Sequence, residues 1–328
     1  MSSFVSYILI SVLSFFSTVL LTKALIPYLR YKKMGQRILE IGPRWHKNKE
    51  GTPTMGGLGF LIPILLLSLL FGFLLLKGVQ KGELRFLILT LLYALSNAAV
   101  GFLDDLTKFK KKQNEGLTPR QKVLLQTVFS ISYLALLKIF GFVSSSMPLP
   151  FLNIWIDFGL GFYFFAAILL VGVVNCANLT DGIDGLATTT AFIIGAFFGV
   201  MGILRGETSV IILGGATLGS CLGFLIYNFH PARIFMGDTG SLFLGALLAG
   251  CAFQLGSPLL ILLVGVLYIL EGVSVILQVT VFRLTGKRLF RMAPLHHHFE
   301  KCGWSEVKIL GIFSILTLIG CVGAYFAL

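Results

Sequence analysis

Acidic residues are scarce in this chain, and their placement is uneven. Asp104 and Asp105 are adjacent in NAAVGFLDDLTKFKKK, Asp181 and Asp184 stand three apart in NLTDGIDGLA, and Asp238 lies in FMGDTGSL. Adjacent or i,i+3 carboxylates can hold a hard divalent cation through oxygen ligands, or accept a proton. Asp104 and Asp105 close an apolar run, which reads as a helix C-terminus. Carboxylates there are disfavoured by roughly 0.3–1 kcal/mol each, so a cation or proton must compensate them. Pairing with the lysines that follow is the plainer explanation, but surface pairs return little. Asp181 and Asp184 share one face if their turn is helical, and Gly182 and Gly185 allow close backbone approach. Asp184 could instead cap the next helix. Asp238 sits at a helix entry of the kind that binds anions.

Two further segments carry polar groups. PLHHHFE holds His296, His297 and His298 in a row. On a helix they would point about 100° apart and could not chelate one metal, and zinc spacing is absent. The triplet suits a loop whose imidazoles donate to phosphate or sugar oxygens. GTPTMGGLGF opens an apolar run. Its threonines, Thr54 among them, and Lys49 beside it suit a phosphate contact, although no GxxxxGK[ST] loop is present.

The rest of the chain must position these residues. Of 328 residues 56% are hydrophobic and only 12% charged, about half the charge of a soluble domain, and the mean hydropathy is +0.91. Soluble, disordered and fibrous classes are excluded. Continuous apolar stretches of about 20 residues indicate helices rather than barrel strands. Spans are expected at 4–26, 57–76, 86–103, 123–142, 157–176, 186–204, 208–227, 240–256, 258–281 and 307–327. The expectation is one all-α integral membrane domain over residues 1–328, with about ten transmembrane helices. The five cysteines show no CxxC spacing, so no disulfide framework is implied.

Lysine and arginine set the orientation. Twenty-one fall in segments on one side and five on the other, which makes the richer side cytoplasmic and puts both termini outside. All five histidines and five of the six aspartates, all but Asp157, fall on that cytoplasmic side, marking it as the active face. The net charge of +12 is mostly topogenic. It requires no nucleic acid, and the lipid bilayer is the partner it implies.

GTPTMGG, FLDD, NLTDGIDGLA, FMGDTGSL and PLHHHFE, in this order over residues 51–300, resemble the motifs of the bacterial phospho-N-acetylmuramoyl-pentapeptide transferases. These belong to the polyprenyl-phosphate N-acetylhexosamine-1-phosphate transferase superfamily. The resemblance implies Mg²⁺-dependent transfer of phospho-MurNAc-pentapeptide from UDP-MurNAc-pentapeptide to undecaprenyl phosphate, giving lipid I and UMP in the bacterial cytoplasmic membrane. It implies Asp238 as a Mg²⁺ ligand, with Asp104 and Asp105 at the lipid phosphate and metal. Lys49, Asn178, Asp181 and Asn228 would line the nucleotide and diphosphate site, and Thr54, Gly182 and Asp184 complete the substrate-binding set. Phe235 would stack on uracil, and His296, His297 and His298 would contact phosphates or sugar.

PLHHHFE favours this branch over the GlcNAc-1-phosphate transferases, which are the alternative. Lys108 stands where the DDxxD pattern of prenyl-diphosphate enzymes has a third Asp. A nucleotide-sugar transporter would place its acids near the midplane on broken helices, where only Glu271 is expected. The DGxxAR signature of CDP-alcohol phosphotransferases is absent. A homo-oligomer is left open by the sequence.

Overall fold

The computed structural model describes residues 2–32, 34–35, 49, 51–76, 81–111, 116–152 and 154–328. Lys33, Arg37, Arg44, His46, Lys47, Lys77 and Lys112, which enter the sidedness count above, lie outside the described residues. The chain forms helices α1 (Ser3–Tyr31), α2 (Leu58–Leu75), α3 (Lys81–Lys111) and α4 (Pro119–Ile139). A hairpin of β1 (Ser146–Leu149) and β2 (Ile154–Asp157) follows, then α5 (Leu160–Thr180), α6 (Leu186–Arg205), α7 (Thr208–Asn228) and α8 (Gly237–Gln254). The chain closes with α9 (Leu260–Val264), α10 (Val266–Thr285), α11 (Leu295–Lys301) and α12 (Glu306–Phe326).

Among the described residues nine helices are long and apolar enough to cross a membrane. The all-α membrane architecture holds because lipid offers the backbone no hydrogen-bond partners, and a helix satisfies them within itself. α8, the element expected at 240–256, is not one of the nine. It is buried from Thr239 to Gln254 and packs mainly on α3 and α5. A helix surrounded by protein does not need the apolarity that lipid demands.

Local signals start several helices where the sequence provides them. Thr118 and Gln121 form a capping box ahead of Pro119 at the start of α4, and Ser305 accepts from Lys308 N at the start of α12. Gly101 of α3 lies against the backbone of Asp238, and any Cβ there would collide with that carbonyl. This glycine sets how closely α3 approaches the head of α8.

Four expectations need correction. The span 258–281 is divided at Gly265 into α9 and α10, and the second piece runs on to Thr285. Asp104 and Asp105 are not at a helix terminus, because α3 continues to Lys111. The dipole argument therefore does not apply to them. Asp184 does not cap α6. Gly185 is its N-cap, in the left-handed conformation and without a side-chain bond. The histidine triplet is not in a loop but on α11, which starts directly after Pro294. Glu271, the acid expected near midplane, lies against His296, and the next residue, Gly272, packs on Cys176 near the end of α5 that carries Asp181.

Candidate active site

Two polar clusters gather at one end of the bundle. The first is built on helices. Asp104, Asp105 and Asp238 each bring a carboxylate oxygen within 4.8 Å of the others. Asp105 is 5% exposed, and it accepts from Asp238 N at 3.3 Å, Thr239 N at 3.0 Å and Thr239 Oγ1 at 2.7 Å. It thus satisfies the open N–H groups at the start of α8, whose own N-cap residue Met236 makes no side-chain bond. Asp104 Oδ1 accepts Leu117 N at 2.7 Å, which pins the segment before α4.

The remaining oxygens face two ammonium groups. Lys108 Nζ lies 2.6 Å from Asp104 Oδ2 and 3.3 Å from Asp238 Oδ2. Lys122 Nζ, in the first turn of α4, lies 2.9 Å and 2.6 Å from the same two atoms. Asn178 donates to Asp238 Oδ1 at 3.1 Å and to Ser241 Oγ at 2.8 Å. The plainer explanation for the aspartate pair is thus realised in part. Asp104 does pair with Lys108 one turn on, but the pair is buried and shared with Asp238.

The GTPTMGG and FMGDTG segments lie side by side. Phe235 N donates to Pro53 O, Gly56 N to Phe235 O and Gly57 N to Met236 O, at 2.9, 2.8 and 2.9 Å. This ladder sets Thr54 beside Gly237, one residue before Asp238. The Phe235 ring is part-exposed beside it.

The second cluster is built on helix ends and connections. Lys49 Nζ lies 2.7 Å from Asp184 and 2.7 Å from Glu306, the first residue of α12. Asp184 Oδ2 also lies 3.0 Å from His230 Nδ1 and accepts Ala232 N at 2.9 Å, while Asp184 N donates to Glu306 at 3.0 Å. Beside it a cavity of about 330 Å³ is lined by His230, Glu300, Lys301, Trp304, Ser305 and Glu306. Asn228 is buried. Its amide accepts from Thr188 Oγ1 at 2.6 Å and donates to Ile234 O at 2.9 Å, so it braces the α7–α8 connection.

Asp181 stands between the clusters. Its carboxyl is pushed up to about 8 by burial first, and then by the carboxylates of Asp238, Asp105 and Asp184. It therefore holds a proton at neutral pH until positive charge arrives.

The three histidines diverge. His296 is buried against Glu271, His297 Nδ1 meets Glu300 at 2.6 Å, and His298 Nδ1 accepts Arg291 N at 3.1 Å. Of the three, His296 is the one that reaches the Asp181–Asp184 turn, where its Nε2 abuts Gly182 so closely that a Cβ there would displace it.

Lys108, Lys122 and Glu306 complete these clusters without having been singled out as site residues from sequence. Lys108 had a signal in its i,i+4 spacing from Asp104. Lys122 and Glu306 had none, since helix packing alone brings them in.

Residues 86–256 match the family described as glycosyl transferase family 4. A phospho-N-acetylmuramoyl-pentapeptide-transferase of Clostridium perfringens (strain 13) is 43% identical over 319 residues, 97% of each chain. Proteins of the same name from Caldicellulosiruptor bescii and Staphylococcus aureus (strain bovine RF122) are each 42% identical. The first covers 96% of this chain and 95% of the relative, the second 94% and 95%.

Proposed function

The chain belongs to the phospho-N-acetylmuramoyl-pentapeptide transferases of glycosyl transferase family 4, and from that premise we propose how its two clusters divide the reaction. As a member of that family it is a multi-pass transferase of the bacterial inner membrane, and it serves peptidoglycan synthesis. The donor is UDP-MurNAc-pentapeptide, the acceptor is undecaprenyl phosphate, and the products are lipid I and UMP. One membrane domain spans residues 1–328, and the charge bias puts the acidic end in the cytoplasm, where the nucleotide is.

The observation that carries the reading is the meeting of Asp238 with Asp104 under Lys108 and Lys122. Both reactants are anions, so transfer is chiefly a matter of positioning and charge neutralisation. Three hard oxygen donors within 4.8 Å suit Mg²⁺, and Asp238 with Asp104 would hold it. When bound, Mg²⁺ supplies Lewis-acid polarisation of the diphosphate and so improves the leaving group.

The protein does the rest. Asp105 fixes the head of α8 against α3 and so fixes Asp238. Asn178 keeps Asp238 Oδ1 in place. Lys108 and Lys122 exchange carboxylate partners for phosphate oxygens as the acceptor arrives. A phosphate monoester has a second pKa near 6, so the acceptor is largely dianionic at pH 7 and attacks without a strong base.

The second cluster receives the nucleotide. Lys49 and Asp184 offer a donor and an acceptor to uracil or ribose, with Asp181, Gly182, Thr54 and Phe235 alongside. His296 faces the diphosphate. Purified protein mixed with Mg²⁺, undecaprenyl phosphate and UDP-MurNAc-pentapeptide should release UMP and form lipid I. Failure to form lipid I, or loss of Mg²⁺ dependence, would overturn this assignment of the site.

A further inference from the structure

Glu271 is an acid on a membrane helix with no part in the chemistry described above. Its exposure is 0%, as is that of His296. His296 N donates to Glu271 Oε1 at 3.2 Å, and His296 Nδ1 lies 3.2 Å from the same oxygen. Among the described residues Glu271 Oε2 and both ring nitrogens of His296 are buried without a hydrogen-bond partner, although Nδ1 lies within hydrogen-bond distance of Glu271 Oε1. A buried carboxyl needs a polar partner, and among the described residues the His296 imidazole lies against it. Its Nε2 points the other way, onto Gly182 between Asp181 and Asp184.

We propose that Glu271 is a positioning residue for the transfer, which holds His296 with Nδ1–H directed to its carboxylate and so presents Nε2–H to the sugar-nucleotide diphosphate. The proposal rests on the reading of His296 as part of the diphosphate site. The logic is that of a ring whose outer partner sets which nitrogen carries the proton and where the other points. Glu271 fixes two things at once: the start of α11, through the backbone N–H of His296, and the tilt of the ring. Oxyanion binding at Nε2 then makes a carboxylate–imidazolium–phosphate row, with each negative group facing a proton. His297 and His298 cannot take this place, because Glu300 and the Arg291 backbone hold their Nδ1 atoms elsewhere.

The test uses the full-length purified protein with UDP-MurNAc-pentapeptide and undecaprenyl phosphate. Glu271→Gln keeps an oxygen for the His296 N–H but removes the charge. It should lower kcat/KM for the nucleotide about 10- to 150-fold, the range for one hydrogen bond to a charged group. KM for undecaprenyl phosphate should stay within about twofold, and Glu271→Asp should recover part of the loss. His296→Gln should lose as much, and the double variant should be no worse than the poorer single one, because both act through one ring. Losses that multiply, or wild-type kinetics in either single variant, would overturn the proposal. Histidine ¹⁵N spectra of the wild-type protein, assigned with His296→Gln, test it even if the Glu271→Gln variant does not fold. A protonated Nδ1 on His296 supports it, and a bare Nδ1 overturns it. A wild-type protein that forms no lipid I would overturn the functional reading itself, and this proposal with it.

Discussion

The two clusters at the acidic end are made of the same chemistry, carboxylates answered by lysine, yet they are built differently. In the first, every charged group comes from a helix: α3 gives Asp104, Asp105 and Lys108, α4 gives Lys122, and α8 gives Asp238. Asp105 is held by three hydrogen bonds from α8, and Asp104 by one from Leu117. In the second, Lys49 precedes α2, Asp184 lies in a turn, His230 follows α7, and Glu306 opens α12. The cavity of about 330 Å³ adjoins this second cluster. Groups on packed helices keep their geometry, and groups on connections can shift around a ligand. The first cluster therefore suits the transferring phosphoryl group, and the second suits recognition of the nucleotide.

The largest test of that division is Asp238→Asn. The change keeps the shape and the first turn of α8 but removes the charge that Lys108 and Lys122 face and that the proposed cation would need. We expect kcat to fall by about 1,000-fold, the upper range for losing one preorganised electrostatic group. Mg²⁺ titration should lose its saturation, and the thermal midpoint should fall by only a few degrees, because Asp104 still faces both lysines. Turnover above a tenth of wild type, with an unchanged Mg²⁺ requirement, would remove Asp238 from the centre.

Next come the lysines. Lys122→Met keeps the stem and removes the ammonium that faces Asp104 and Asp238 at 2.9 and 2.6 Å. We expect kcat to drop about 100-fold, with KM for the nucleotide changed less than about threefold. Lys49→Met should do the reverse. It should raise KM for the nucleotide about 10-fold, as expected for one charge-assisted contact, and leave kcat within a few-fold. If both lysines act on the same parameter, the division between chemistry and recognition fails.

The comparison also explains what could be read from sequence. Five motifs in order carried the identity of the acids and histidines, because those residue types are costly on a membrane protein and so conspicuous. The first cluster's aspartates were found, but the reason offered for them, a helix terminus, was wrong, since α3 runs on past the apolar stretch. Lys122 looked like one topogenic charge among many. Its role depends on α4 returning beside α3, which no local pattern reports. Gly265 lies inside an unbroken apolar run, so hydropathy carried no sign of the α9–α10 break. α11 did have a start signal in Pro294, masked by the expectation that a histidine triplet lies in a loop. Glu306 joins the second cluster only through tertiary packing of α12.

Asp181 gives the smallest effect but bears on both clusters, because it is raised by Asp238 and Asp105 of one and Asp184 of the other. Its carboxyl titrates at about 8 in the folded chain against an ordinary value of 3.8. Between those values the folded protein holds a proton that the unfolded chain has released. Stability contributed by the neutral form is therefore fully present below about pH 4, and it is lost as pH rises towards 8. Each unit of difference corresponds to about 1.4 kcal/mol. Solvent screening at a part-exposed group reduces the sum to an effect of about 1–2 kcal/mol. Asp181→Asn removes the titration and keeps the shape. Its thermal midpoint, measured without divalent cations from about pH 5 to 8.5, should fall less steeply with pH than that of the wild type. At about pH 8 it should lie a few degrees higher, since about 1 kcal/mol moves a domain of this size by roughly 2–4 °C or less. Asp184→Asn should behave oppositely and lower the midpoint, because Asp184 is already matched by Lys49 and His230. If the two variants have the same pH slope, Asp181 is not where the unmatched charge of the two clusters meets.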